Sequence, residues 1–312
     1  MSNLDVLCAV SRSSGWLDVG NQHRIRWWDS GIGDGPTMVI VHGGPGGRSG
    51  PRHRNLVDLT RWRVIQYDQR GCGNSTPRGQ YSHNTFDDLV DDLERLRLHL
   101  RVRSWVVLGF SWGTTIALAW ASRYGSSGHA LILSGVYLGR RCDLAIGRPH
   151  PQVPFAAWKD VVANIAENER NRVAAAYLSR FRDRTHPDHR GAIRRWIALD
   201  GAVSGLPYAP DTIVVEPGMG ESLSIEAHYV AHDFFLPVDG VIPLIKSIPT
   251  AMQIHVAQGL NDSACRESAI ALNMARTIKL TWVLAGHSVL NPKLTSAVFD
   301  STEYVRLTMD CL

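Results

Sequence analysis

Short apolar runs punctuate the first half of the chain, and the stretches between them carry either helical spacing or turn residues. Residues 38–41 and 105–110 read as strands buried on both faces of a parallel sheet, where alternation gives way to continuous hydrophobicity. Residues 62–66 and 130–133 are expected to join them. Upstream, 15–19 and 23–28 alternate as a half-exposed antiparallel edge does, with Gly20-Asn21 supplying the hairpin turn. Thr85 can cap a helix over 86–100, in which Leu89, Leu93, Leu96 and Leu100 recur at helical spacing. A helix rich in Ala, Leu and Ile is expected over 114–123.

After Gly135 this rhythm stops. Helical patterns follow at 158–167, 169–181 and 189–199, and no buried strand is expected again until 252–256. That interval is too long for a simple crossover, so it reads as an inserted helical cap. Strands at 252–256 and 280–284 and a helix at 293–308 then complete the core. The expected architecture is α/β, a mostly parallel doubly wound sheet. Its core comprises residues 1–139 and 239–312, interrupted by a cap at 140–238. In such sheets ligands bind beyond the carboxyl ends of the strands. Every chemically suggestive loop falls at such an end: 42–47, 68–75, Ser111, 259–262 and Gly286-His287.

Between the strand at 105–110 and its helix lies Gly109-Phe110-Ser111-Trp112-Gly113, a Gly-x-Ser-x-Gly turn. A strand that passes directly into a helix lifts the central serine above the sheet, where its hydroxyl can attack a carbonyl. Serine needs a neutral imidazole as base and a carboxylate to orient that base. In chain order the acid and then the histidine should follow late strands. Asp262 and His287 stand there. The tetrahedral oxyanion would be met by the backbone N–H of Trp112 and by one from the glycine loop, Gly44 or else Gly43.

Composition alters this picture little. Hydrophobic residues make up 44% and charged residues 20% of 312, with a net charge of +4 spread along the chain, so no nucleic-acid footprint is expected. Residues 1–17 carry neither a basic start nor an apolar core, and no run approaches the roughly 20 apolar residues of a membrane span. Neither a signal peptide nor membrane insertion is expected. The five cysteines, Cys8, Cys72, Cys142, Cys265 and Cys311, show no paired spacing, which suits reduced thiols in a cytoplasm. Glu226, His228 and His232 lack zinc-site spacing, and neither a metal nor a cofactor is expected. The arginine-rich run 180–195 reads as a solvated helical face. Asp68 and Arg70 read as loop braces and Cys72 as structural.

Three motifs together carry a resemblance. His42-Gly43-Gly44-Pro45-Gly46-Gly47, Asp68-Gln69-Arg70-Gly71-Cys72-Gly73-Asn74-Ser75 and the elbow with Trp112 resemble the proline iminopeptidase family of α/β-hydrolases across most of the chain. The resemblance implies an α/β-hydrolase fold and a Ser111, Asp262, His287 triad. It also implies removal of an N-terminal residue whose free amine is held by cap carboxylates. Glu226 matches one of those acids. The family's Trp-Glu-Gly is replaced here by Leu199-Asp200-Gly201, a shorter acid without the preceding tryptophan. Relatives of this family also act as amino-acid amidases or remove protecting aminoacyl groups. The expected partner is a small molecule or short peptide with a free amino terminus, with Glu226, Asp200 and Gly43 as substrate contacts. An esterase or acyltransferase on the same triad, or a binding protein on a hydrolase scaffold, are the competing readings. Epoxide hydrolase and dehalogenase chemistry place Asp at the elbow, where this chain has Ser. The oligomeric state is left open.

Overall fold

The computed structural model describes residues 11–143, 146–204 and 206–309. Eight strands form one sheet: β1 (Ser11–Gly20), β2 (His23–Gly31), β3 (Thr37–Val41), β4 (Arg63–Asp68), β5 (Trp105–Phe110), β6 (Gly128–Ser134), β7 (Gln253–Gly259) and β8 (Lys279–Val283). Their order is β1-β2-β4-β3-β5-β6-β7-β8. The first two pairings are antiparallel and the remainder parallel. Period-two alternation survives within the apolar runs, because each face has its own core. Val39 and Val41 pack into one cluster, Met38 and Ile40 into the other.

The first cluster is covered by α2 (Phe86–His99) and α3 (Trp112–Tyr124), the second by α9 (Pro292–Met309) and by Leu56 and Val57, which follow the short turn α1 (Pro51–Arg54). Thr85 caps α2 as its sequence suggests, with Asp88 completing a reciprocal capping box. Between β6 and β7 the described residues contain no strand. They contain α4 (Phe155–Ala163), α5 (Val173–Arg182), α6 (His189–Val203) and α7 (Met219–Ala231), with α8 (Arg266–Ala275) following β7.

Several local expectations need correction. Of the first two strands β1 alone is an edge; β2 lies between β1 and β4 and buries Ile25 and Trp28 completely. Trp62 lies just before β4, not within it. At the far edge β8 is largely exposed, since it has a neighbour on one side alone. The helices expected at 158–167 and 169–181 are separated by a 3₁₀ turn at Glu167–Glu169. The arginine-rich run is a solvated face only in part: Arg182, Arg184 and Arg190 are exposed. Arg180 is buried and pairs with Glu169 at 3.1 Å, while Arg195 binds Asp188 and the Tyr177 hydroxyl. Cys8 and Cys311 lie outside the described residues.

Two features fix the loops above the sheet. Trp112, fully buried at the start of α3, packs against Phe86 of the core and against Tyr229 and Phe234 of the long insertion. The buried Arg70 donates to both oxygens of Asp92 at 2.7 and 2.6 Å and to the His83 carbonyl at 2.5 Å. Asp68 accepts the backbone N–H groups of Ser49 and Asn74, each at 2.7 Å. Both residues therefore brace loops. Among the described residues no helix is long and apolar enough to cross a membrane.

Burial pushes the Asp92 carboxyl up to about 6 and Arg70 pulls it back, so removing Arg70 leaves a buried acid without its partner. Arg70→Met should cost about 3–5 kcal/mol of stability. The double variant Arg70→Met/Asp92→Leu should cost less than the single. Urea denaturation of the three proteins checks both statements.

Candidate active site

The site is built on a strained turn. Ser111 has φ 51° and ψ −122°, a conformation that costs a side-chain-bearing residue about 1–3 kcal/mol. Its neighbours permit it. A Cβ on Gly113 would lie 2.2 Å from the Val41 carbonyl oxygen, and one on Gly109 would lie 2.8 Å from that of Gly113. The turn is tied down by the Ser111 N–H, which donates to Ser134 O at 3.0 Å, and by Thr114 Oγ1, which donates to Ser111 O at 2.7 Å.

His287, in the loop after β8, reaches this serine. Its Nε2 lies 3.2 Å from Ser111 Oγ and its Nδ1 lies 2.9 Å from Asp262 Oδ2. Asp262 is buried, and accepts further hydrogen bonds from Gln258 Nε2 at 2.8 Å and the Cys265 N–H at 3.0 Å. An ionised Asp262 requires a proton on Nδ1, which leaves Nε2 free to accept the serine proton. Burial disfavours a charged His287, but Cys265 and Asp262 outweigh it and hold the imidazole well above its ordinary value. Burial also raises the Cys265 thiol, and a neutral thiol withdraws its charge from that balance, which leaves Asp262 as the partner that favours a charged imidazole. The site's third sequence-derived group thus stands in a hydrogen-bonded row with the other two.

The glycine loop passes directly beside the nucleophile. A Cβ on Gly43 would lie 3.1 Å from Ser111 Cβ. Gly44 has φ +134°, which favours glycine, and both residues line the cavity above Ser111. His42 holds this loop: its Nδ1 donates to Gly43 O at 2.7 Å and its Nε2 accepts the Gln69 N–H at 3.1 Å. Burial lowers the His42 imidazole to about 4, so it stays neutral in this role. Trp112 is the first residue of α3, where a backbone N–H has no partner within the helix.

Asp200 on α6 and Glu226 on α7 come to the same cavity, whose volume is about 960 Å³. Glu226 Oε2 accepts the Trp196 indole N–H at 2.9 Å. Burial and the nearby Asp200 push Glu226 up to about 8, while Trp196 opposes the rise. Desolvation by the surrounding protein also raises Asp200, which is itself exposed to the cavity, with His287 pulling the other way. Beside them lies a smaller chamber of about 100 Å³, shared with Ser111 and His287 and walled by Tyr137, Ile146, Val203, Val230 and Phe234. His228 and His232 are engaged in ring packing with Tyr81 and Phe235. Among the described residues Asp262, Cys265 and His287 have ligand-type atoms within 4.8 Å of one another; Asp262 and His287 are bonded to each other.

Sequence reasoning missed Trp196, Gln258, Cys265 and the chamber walls. One signal was available: Trp196 precedes Asp200 by four residues, so both occupy one helix face.

Residues 36–203 match the family model described as the alpha/beta hydrolase fold. A probable proline iminopeptidase of Leptolyngbya boryana is 33% identical over 93% of each chain. The proline iminopeptidase of Arabidopsis thaliana is 32% identical over 95% of this chain and 80% of its own. The chain belongs to the proline iminopeptidase family of α/β-hydrolases. It is an enzyme, a serine hydrolase. The crystal structure of a proline iminopeptidase from Mycobacterium smegmatis shares the fold, with a TM-score of 0.58 at 20% identity over 96% of this chain and all of that one.

A family member with two neighbouring acids in one cavity should lose stability as the half-buried Glu226 ionises. The folded Glu226 keeps its proton to about 8, against 4.5 for the ordinary side chain, so between those values the folded state binds more protons than the unfolded one. Stability of the wild type should therefore fall across that window relative to Glu226→Gln. Denaturation midpoints of both proteins at pH 5, 6.5 and 8 check the sign.

Proposed function

We propose that this enzyme is a serine aminopeptidase. It releases an N-terminal aminoacyl residue from a short peptide, or from an aminoacyl amide, through an acyl-enzyme. The observation that carries this reading is that Asp200 and Glu226 share one cavity with Ser111 and His287. Two carboxylates crowded in one cavity, Glu226 half-buried and Asp200 exposed to it, cannot both ionise readily, and a substrate ammonium placed between them relieves that cost. The amine then sits about one residue's length from the scissile carbonyl, which limits cleavage to the first residue. A chamber of about 100 Å³ is smaller than the roughly 150 Å³ cavity that accepts benzene, so it suits proline, alanine or a side chain of similar size.

In this reading Ser111 Oγ attacks the carbonyl while His287 Nε2 takes its proton, and Asp262 stabilises the imidazolium. The Gly44 and Trp112 N–H groups receive the oxyanion, with Gly43 against the substrate. As the C–N bond breaks, His287 returns the proton to the leaving amine. Water deprotonated by His287 then attacks the ester, and Ser111 regains its hydrogen. Residues 140–238 act as the cap that carries the amine site. The substrate is a small molecule or short peptide, neither nucleic acid nor membrane takes part, and no cofactor enters any step. The dispersed thiols suit a cytoplasmic setting.

Ser111→Ala should abolish turnover with the fold intact, and a sulfonyl fluoride should label Ser111 in the wild type. Mass spectrometry places the label, and a label elsewhere would sink the mechanism. A hydrogen bond to a charged group contributes about 1.5–3 kcal/mol, so Glu226→Gln should lose roughly ten- to over a hundred-fold in kcat/KM on prolyl and alanyl anilides. The loss on N-acetylalanyl anilide should be far smaller. Equal losses would leave Glu226 a cap-stabilising acid and favour a general esterase.

A further inference from the structure

Two cavities meet at Ser111, and their walls differ in charge. The small chamber is lined by no arginine or lysine, and its titratable acids and His287 are shared with the larger cavity. Residues 46–53 line the larger cavity alone. In that stretch Arg48 and Arg52 face the cavity, both exposed, and neither makes an ion pair among the described residues. No carboxylate-bearing residue occurs between His42 and Val57 to neutralise them. Asp68, a buried acid that feels Arg48, already uses its oxygens on Ser49 and Asn74. Arg54, on the same short turn, is buried with Nε and Nη1 lacking hydrogen-bond partners, and a guanidinium remains protonated there. The outer wall is thus cationic, the inner end anionic, and the nucleophile lies between them.

We propose that Arg48 and Arg52 form a leaving-group subsite, and that the favoured substrates are dipeptides and tripeptides with a free α-carboxylate. This rests on the aminopeptidase reading. A substrate with its ammonium at Asp200 and Glu226 and its first carbonyl at Ser111 must direct the departing part into the larger cavity, since the small chamber is occupied by the aminoacyl side chain. An extended chain advances about 3.3–3.6 Å per residue, so the terminal carboxylate of a short peptide leaves the nucleophile by only one or two such steps. Two flexible, solvent-facing arginines then meet it, and exposed charge pairs of this kind have modest, salt-sensitive effects.

The test compares Ala-Ala with its C-terminal carboxamide, Ala-Ala-NH₂, by kcat/KM for wild type, Arg48→Gln/Arg52→Gln and Arg48→Lys/Arg52→Lys. In the wild type the carboxylate form should be preferred about three- to thirty-fold at low salt, and the preference should shrink in 0.5 M salt. The glutamine pair should bring the ratio near one, while the lysine pair should keep part of the preference. Each ratio is internal to one preparation, so a loss of folded protein does not move it. A wild-type ratio near one, or a ratio unchanged in the glutamine pair, would overturn the subsite and leave the aminopeptidase intact. Equal cleavage of N-acetyl-Ala-Ala and Ala-Ala would instead remove the aminopeptidase reading, and the subsite with it.

Discussion

The constraint on which the site depends is the backbone of Ser111. A left-handed φ at a serine persists only where the surroundings leave no cheaper geometry. Here β5 is buried along its whole length and α3 over most of its own, so neither can shift to relax the turn between them. The close approaches of Gly109 and Gly113 let strand and helix pack without a side chain intervening. Strain at one residue is offset by hydrophobic burial on both sides of it. The result is a hydroxyl held above the sheet, at the height where loops from β3, β7 and β8 converge.

Electrostatics then organises those loops. Asp262 and His287 form one pair, Asp200 and Glu226 another, and both adjoin the same cavity. The pairs are not independent, because His287 draws Asp200 toward ionisation while Asp200 drives Glu226 toward protonation. Without a cation nearby, the second pair holds a proton it would surrender in water. An ammonium in the cavity alters that balance and also places a carbonyl near Ser111. In the proposed reading, recognition and positioning draw on the same pair of acids, which would account for two carboxylates standing so close together.

Much of this was legible in the chain. Short, continuously apolar runs betrayed the parallel strands, and the order serine, acid, histidine at late strand ends placed three groups that the fold brings into hydrogen-bonded contact. Contacts between distant segments were not legible. Tyr137 and Phe234 meet across the insertion, and Gln258 reaches Asp262 from the end of β7, with no periodicity to announce either. Helix α7 escaped notice because it buries Ser224, Ile225, Ala227, His228, Tyr229 and Val230, which spread around the helix and leave no single stripe. The exposure of β8 follows from strand order, which a local pattern does not encode.

The departure at Leu199-Asp200-Gly201 has a structural sense. A tryptophan is absent at 199, where Leu199 is buried, but Trp196 stands one turn before Asp200 and gives its indole N–H to Glu226. The aromatic group orients the longer acid, and the shorter acid sits on the same helix face. Replacing a glutamate by aspartate withdraws the carboxylate by about one carbon–carbon bond, roughly 1.5 Å. If Asp200 holds the substrate amine as proposed, the ammonium must lie closer to α6, or a water must bridge the gap. In the first case the aminoacyl group would gain about one methylene's worth of room, and burying a methylene is worth about 0.8 kcal/mol. That is a factor of about four in preference, enough to shift selectivity among small side chains but too little to exclude any of them.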